Sequence, residues 1–214
     1  MKDMVEFDIS SLPKRGLNED TCKKWHYGVG KYNGTPVQIA NYCDNEGKAV
    51  AQKLRFPNKD FVWLGKPEKV GLWGQHLWGN GGKMVTVTEG EIDALTVSQM
   101  FENKWPVVSV PNGAAGAVRS VKESINWLEK FDSVVSAFDM DDAGRKAAHD
   151  CAQILSPGKA KICTSIPMKD PNECLVNGMG KELVSAIWAA KTYRPDGVVP
   201  GEELWDTIIN DEET

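Results

Sequence analysis

From residue 84 to about residue 190 the chain alternates short apolar runs with longer amphipathic ones, and this alternation restricts the fold more than any other feature. Residues 84–88, 106–110, 133–138 and 159–164 have the length and apolar content of strands, whereas 91–103, 117–130 and 143–155 have those of helices. Residues 172–190 read as one or two helices broken near Gly178 and Gly180. Strands alternating with helices pair in parallel, are covered on both faces and are joined by right-handed crossovers. The expected fold is therefore α/β: a parallel sheet flanked by helices over 84–192, preceded by a small mixed α+β subdomain over 1–83. Residues 193–214 read as an acidic linker or tail.

In the N-terminal region, 18–25 predicts a short helix capped by Asn18, and the glycines of 28–34 predict a turn. Runs 36–43 and 48–56 flank the turn signal Asp44-Asn45-Glu46-Gly47, which predicts an antiparallel hairpin carrying Lys53 and Arg55. Residues 57–83 have no clear period and read as irregular.

No apolar run reaches the ~18 residues of a membrane span, and the opening MKDMVEFDIS lacks the apolar segment of a secretory signal, so a cytoplasmic protein with no membrane partner is expected. Cys22, Cys43, Cys151, Cys163 and Cys174 are widely spaced with no CxxC, and no structural zinc is expected. The net charge of -5 opposes nucleic-acid binding until its distribution is considered. Between Lys48 and Lys83, Lys53, Arg55, Lys59, Lys66, Lys69 and His76 are opposed only by Asp60 and Glu68, while the acids concentrate after Glu202.

In an open parallel sheet, ligands bind beyond the carboxyl ends of the strands. Two such ends are acidic: the first strand runs into Glu89-Gly90-Glu91-Ile92-Asp93, the third into Asp139-Met140-Asp141-Asp142. Asp139 and Asp141 point to the same side of an extended chain, with Glu89 facing them across the sheet. Carboxylates so crowded raise one another's proton affinity unless a cation lies between them. An oxygen-only set favours Mg²⁺ or Mn²⁺ over zinc. Acids after strands also cap helices. Capping serves equally well for Glu91, Asp93 and Asp142, and less well for three acids converging on one edge. Asp170, in Lys169-Asp170-Pro171-Asn172, either joins the metal set or starts a helix, and Lys169 either meets phosphate or is solvated. The loop PNGAAG at 111–116 offers backbone N–H groups to phosphate, but it is neither a Walker A loop nor a GxGxxG fingerprint.

TEGEIDALT, PNGAAG, FDMDDAGRKA and KDPNE, in this order and spacing, resemble the Toprim fold of primases, topoisomerases and related nucleases. QKLRFPNKDF, GQHLWGNGGK and YRPDGVV extend the likeness, from about Leu12 to Val199, to the primase half of short-tailed-phage primase-helicases, whose mitochondrial relative is the Twinkle helicase. The resemblance implies a Toprim-type sheet and a DNA primase that makes RNA primers on a single-stranded DNA template from ribonucleoside triphosphates. It implies that Glu89, Asp139 and Asp141, with Asp170, bind a pair of Mg²⁺ or Mn²⁺ ions. Lys53 and Lys59 fall where the family has basic residues for nucleotide and template, and Arg55, His76, Lys83 and Lys169 are further candidates. The family's zinc-binding template reader and its helicase have no counterpart in this sequence. An excised domain or a stand-alone relative is therefore expected, working with both as partners in a phage-infected bacterial host.

By this reading a ribonucleotide 3′ hydroxyl attacks the α-phosphate of the next, with no side-chain nucleophile, and Glu89 serves as ligand or as general base. A Toprim nuclease, with water as attacker, shares the acidic set. A catalytically inactive module that binds DNA or helicase is the alternative of another class. Topoisomerase chemistry is disfavoured because Tyr27, Tyr32, Tyr42 and Tyr193 lack a basic setting, and a receiver domain would carry its acids nearer its N-terminus.

Overall fold

The computed structural model describes residues 3–195. Its first sheet is antiparallel, with β1 (Phe7–Asp8), β2 (Tyr27–Tyr32), β3 (Thr35–Cys43), β4 (Ala49–Arg55) and β5 (Phe61–Gly65) adjacent in sequence order. Helix α1 (Glu19–Trp25) connects β1 to β2, and Asn18 caps it by accepting a hydrogen bond from the Thr21 N–H at 2.8 Å. The expected hairpin is β3–β4. Of the glycine turn expected at 28–34, only Asn33 and Gly34 turn; 28–32 belong to β2, where glycine is needed because a Cβ at Gly28 would lie 2.2 Å from the Asp8 carbonyl oxygen and one at Gly30 2.9 Å from the Ile39 side chain. Residues 57–83 are also more ordered than their sequence suggests. They hold β5, two 3₁₀ turns at Pro67–Lys69 and Gln75–Leu77, and Trp73, whose ring N–H donates to the Asn41 carbonyl at 2.7 Å.

The second sheet contains β6 (Gly82–Thr88), β7 (Val107–Ser109), β8 (Phe131–Ala137), β9 (Ala160–Ile162) and β10 (Lys191–Thr192), in the order β10-β9-β8-β6-β7. Strands β6 to β9 are parallel, while β10 joins the β9 edge antiparallel and is not legible in the sequence. The helices between them are α2 (Glu91–Met100), α3 (Gly113–Glu123), α4 (Ile125–Leu128), α5 (Asp142–Ala152), α6 (Pro171–Val176) and α7 (Gly180–Trp188). The helix expected over 117–130 is split at Ser124, and the one over 172–190 at Gly178. The acidic stretch read after 193 falls, beyond Pro195, outside the described residues.

The pleat sends alternate side chains to opposite faces, and each face is buried. Met84, Val135 and Ala137 join a core containing Leu95, Leu183 and an aromatic cluster made of Tyr27 and Tyr42 from the first sheet, Trp25 from α1 and Trp73 from the segment after β5. Val85, Val87, Val134 and Phe138 join a second core with Val121, Leu128 and Ala148. The first core therefore belongs to both sheets, and it holds the end of β4 near the ends of β6 and β8. Strand order reverses between β6 and β8, the position at which an open α/β sheet leaves a crevice beyond its strands.

Gly74 has φ +86°, and a Cβ there would lie 2.1 Å from the buried Trp25 ring, whereas Gly34 at φ +78° has open space. Gly74→Ala is expected to lower the urea-unfolding free energy by about 2–5 kcal/mol and Gly34→Ala by only the left-handed penalty of about 1–2 kcal/mol.

Candidate active site

The crevice beyond β6 and β8 is a cleft of ≈ 450 Å³ lined by groups of opposite charge. Glu89, Asp93, Asp139 and Asp170 line it from the second sheet and its helices; Lys53, Arg55, Phe61 and Trp63 line it from the first sheet, and Arg15 from the turn before α1. Glu89 follows β6 directly. Its Oε1 accepts a long hydrogen bond from the Ala114 N–H at 3.3 Å, and its Oε2 is buried with no partner. Asp139 follows β8, and burial raises its carboxyl to about 7, with Glu89, Asp170 and Asp141 adding to the rise and Lys169 opposing it. Asp93, in the first turn of α2, is also held well above the usual carboxylate range, first by burial and then by Asp170 and Asp139. A backbone bond from the Met140 N–H to the Lys169 carbonyl at 2.7 Å brings the loop after β9 against the loop after β8, so that Asp170 reaches the same cleft.

Two of these acids also cap helices. Asp141 accepts from the Gly144 N–H at 3.0 Å and starts α5; Asp170 accepts from the Glu173 N–H at 2.7 Å and starts α6. Asp141 is exposed, outside the cleft lining, and paired with Lys169 at 3.4 Å. The Gly144 N–H first, and Lys169 next, hold its carboxyl below the usual value. Lys169 is exposed beside it and has its own pKa raised by that carboxylate.

The donor set fits a hard divalent cation. It is oxygen-only, its carboxylates hold one another's charge in check, and a buried oxygen of Glu89 without a partner is a costly state that a cation relieves. Among the described residues no three His, Cys, Asp or Glu side chains converge as a ready-made metal group. The carboxylates surround the cleft without closing on one point, so the fit rests on charge, donor type and that unpartnered oxygen.

Of the basic residues, Lys53 is only 9% exposed. It donates to Glu91 Oε1 at 2.8 Å and to the Pro111 carbonyl at 2.7 Å, while the Tyr42 hydroxyl donates to the same Glu91 oxygen at 2.5 Å. Arg55 is shared between this cleft and an adjoining groove, where Lys14 and Lys59 are found. The structure does not bring His76 or Lys83 to the cleft lining. His76 lies in the 3₁₀ turn Gln75–Leu77, where burial and then His26 lower its pKa. Lys83 is the second residue of β6 and so stands about 20 Å of strand away from Glu89. The 111–116 loop lines the cleft through Pro111, Asn112 and Gly113, but its Ala114 N–H and Pro111 carbonyl serve Glu89 and Lys53.

Comparison with known proteins agrees with this architecture. A family model described as bacteriophage T7 DNA helicase/primase, N-terminal a+b fold, matches residues 8–65, and a Toprim-like model matches 86–175. The crystal structure of the primase fragment of the bacteriophage T7 primase-helicase is 39% identical, with a TM-score of 0.81 over 87% of this chain and 80% of that one. This chain belongs to the phage T7-type helicase/primase family. A DNA helicase/primase of enterobacteria phage T3 is 40% identical over 93% of this chain, which spans 35% of that relative's length. The DnaG catalytic core, at 15% identity and a TM-score of 0.63 over 85% of this chain and 72% of that one, shares the fold.

Three family-member residues in the cleft escape a reading of the sequence. Glu91 looks like a helix-start acid, yet it neutralises Lys53. Arg15 donates to Asn172 at 3.2 Å, and buried Asn172 also donates to the Arg15 carbonyl, to Thr96 and, through its backbone, to Asp93. Only the acidic pattern around Asp93 gives any local signal. Because Lys53 and Glu91 are both buried, Lys53→Met is expected to cost about 3–5 kcal/mol in chemical denaturation by stranding the Glu91 charge, and adding Glu91→Gln to recover most of it.

Proposed function

We propose that this chain is the catalytic core of a DNA primase, joining ribonucleotides on single-stranded DNA. The observation that carries the reading is the cleft itself, which carboxylates at the strand-order reversal share with cationic and aromatic side chains. Nucleotide polymerisation needs both: anionic oxygens to hold divalent cations and cations to hold phosphates.

Glu89, Asp139 and Asp170, with Asp141 at the rim, hold Mg²⁺ or Mn²⁺, in the two-ion arrangement that the family resemblance implies. Such a cation, when bound, favours ionisation of the attacking 3′ hydroxyl and offsets charge on the departing pyrophosphate. Lys53, held at a constant position by Glu91 and the Pro111 carbonyl, lines the cleft as a contact for nucleotide phosphate. Arg55 and Arg15 bind the triphosphate or template backbone, and Lys59 in the adjoining groove extends that track. Lys169 tunes Asp141 and meets the outer phosphates. Lys83 and His76 remain candidates only for contacts outside the cleft.

The phage T3 relative is a helicase/primase, and a solved chain 38% identical, with a TM-score of 0.84 over 90% of this chain and 100% of that one, comes from a phage T7 assembly of lagging-strand DNA polymerase with primase domains bound to an RNA/DNA hybrid and dTTP. By extension, this core works beside a replicative helicase, fused or separate, and a zinc-binding template reader, in the cytoplasm of an infected host. Among the described residues no helix is long and apolar enough to cross a membrane.

The test is incorporation of labelled ribonucleotides on single-stranded DNA primed with a diribonucleotide, with Mg²⁺ or Mn²⁺. Extension by the wild type, reduced about 100-fold or more by Asp139→Asn with Asp141→Asn, is expected. Metal-dependent cleavage of the DNA without extension identifies a nuclease, and neither activity leaves a binding module.

A further inference from the structure

Residues 53, 55, 61 and 63 form one continuous face of the first sheet. Lys53 pairs with Trp63 and Arg55 with Phe61 across β4 and β5, so the two cations and two aromatic rings project to the same side. That side lines the same cleft as the carboxylates. Trp63 is tied down, its ring packed on Tyr42 with centroids 4.8 Å apart. Phe61 is different. It is 48% exposed and, among the described residues, has no aromatic ring against it; its ring neighbours are cations, with the Lys53 ammonium 4.5 Å and the Arg55 guanidinium 6.0 Å from its centroid.

Core packing does not account for a half-exposed phenylalanine at the mouth of a charged cleft. The backbone leading into it is nonetheless held by hydrogen bonds. The turn before it is closed by the Phe56 N–H to the Asp60 carbonyl at 2.9 Å and the Lys59 N–H to the Phe56 carbonyl at 3.0 Å, with the Asn58 carboxamide accepting from the Asp60 N–H at 3.1 Å. A fixed, solvent-facing π-surface beside cations is the arrangement that binds an unpaired base while its phosphates are neutralised, and it tolerates any sequence because every base offers a π-face.

We propose that Phe61 is the stacking platform for a nucleobase held in the cleft. This rests on the primase reading of the same site and adds the group that orients the base, where the basic residues only hold phosphate. The base comes either from a ribonucleoside triphosphate or from single-stranded DNA, and both supply the same chemistry.

Two probes separate those sources: 2-aminopurine ribonucleoside triphosphate, and a single-stranded oligodeoxynucleotide carrying one 2-aminopurine. Each is titrated into the full chain with Mg²⁺, following fluorescence quenching, which reports stacking directly. Wild type and Phe61→Trp are expected to quench one of the probes. Phe61→Leu, with an unchanged thermal midpoint, is expected to lose the quenching and to bind about 5- to 150-fold more weakly, the range equivalent to ~1–3 kcal/mol per stacked base. The probe affected names the source. Equal quenching and affinity in wild type and Phe61→Leu overturn the platform while leaving the primase reading intact. Failure of the wild type to bind either probe overturns both.

Discussion

Glu89, Asp93, Asp139 and Asp170 share one cleft, where burial first and the neighbouring carboxylates next lift Asp139 to about 7, and where a Glu89 oxygen is buried without a partner. A fold does not gather such groups for stability, since each raised carboxyl is free energy lost at neutral pH. The rest of the molecule is arranged around that crowding. Hydrophobic strands buried on both faces fix the positions of Glu89 and Asp139, and the Met140–Lys169 backbone bond carries Asp170 to them. The antiparallel sheet then supplies the opposite charge to the same cleft.

The join between the two sheets is chemically specific as well as apolar. Trp25, Tyr27, Tyr42 and Trp73 make a shared core, and Lys53 crosses from β4 to Glu91 at the start of α2. Burying that pair confers little net stability, because desolvation offsets most of the attraction. What it confers is position: a lysine with two acceptors at fixed distances cannot wander as a surface lysine does. Tyr42, donating to the same carboxylate, completes a network whose members come from β3, β4 and α2.

Much of the parallel sheet is legible in the sequence because the physics is local. Val85, Val87, Val134 and Val135 are apolar in short runs, and acids directly after such runs fall at the ligand-binding edge of any sheet so wound. The N-terminal half is less legible. Gly28 and Gly30 look like turn residues because nothing local shows that Asp8 and Ile39 press against them. The pairing of Lys53 with Glu91 is hidden in the sequence because the partner is 38 residues away, and the Asn172 contact to Asp93 spans 79. Lys83 looks like part of a basic cluster because sequence proximity hides that it lies near the start of a strand whose other end carries the chemistry. Phe61 follows the same rule, since its exposure depends on a hairpin face visible only once β4 and β5 are paired.

The claim that the acidic wall is built around a cation is tested most directly by the thermal unfolding midpoint, followed from about pH 4 to about pH 8 with and without Mg²⁺, for wild type against Asp139→Asn. The folded Asp139 carboxyl takes up its proton at about 7 against 3.8 for an ordinary aspartate, so the folded state holds the extra proton in between, and stability from this group falls as pH rises through that window. Without metal, the wild-type midpoint is therefore expected to drop relative to the variant between those values. Mg²⁺ at the high end is expected to restore the wild type and leave the variant unmoved. Parallel pH profiles, or equal stabilisation of both proteins by Mg²⁺, would contradict the account.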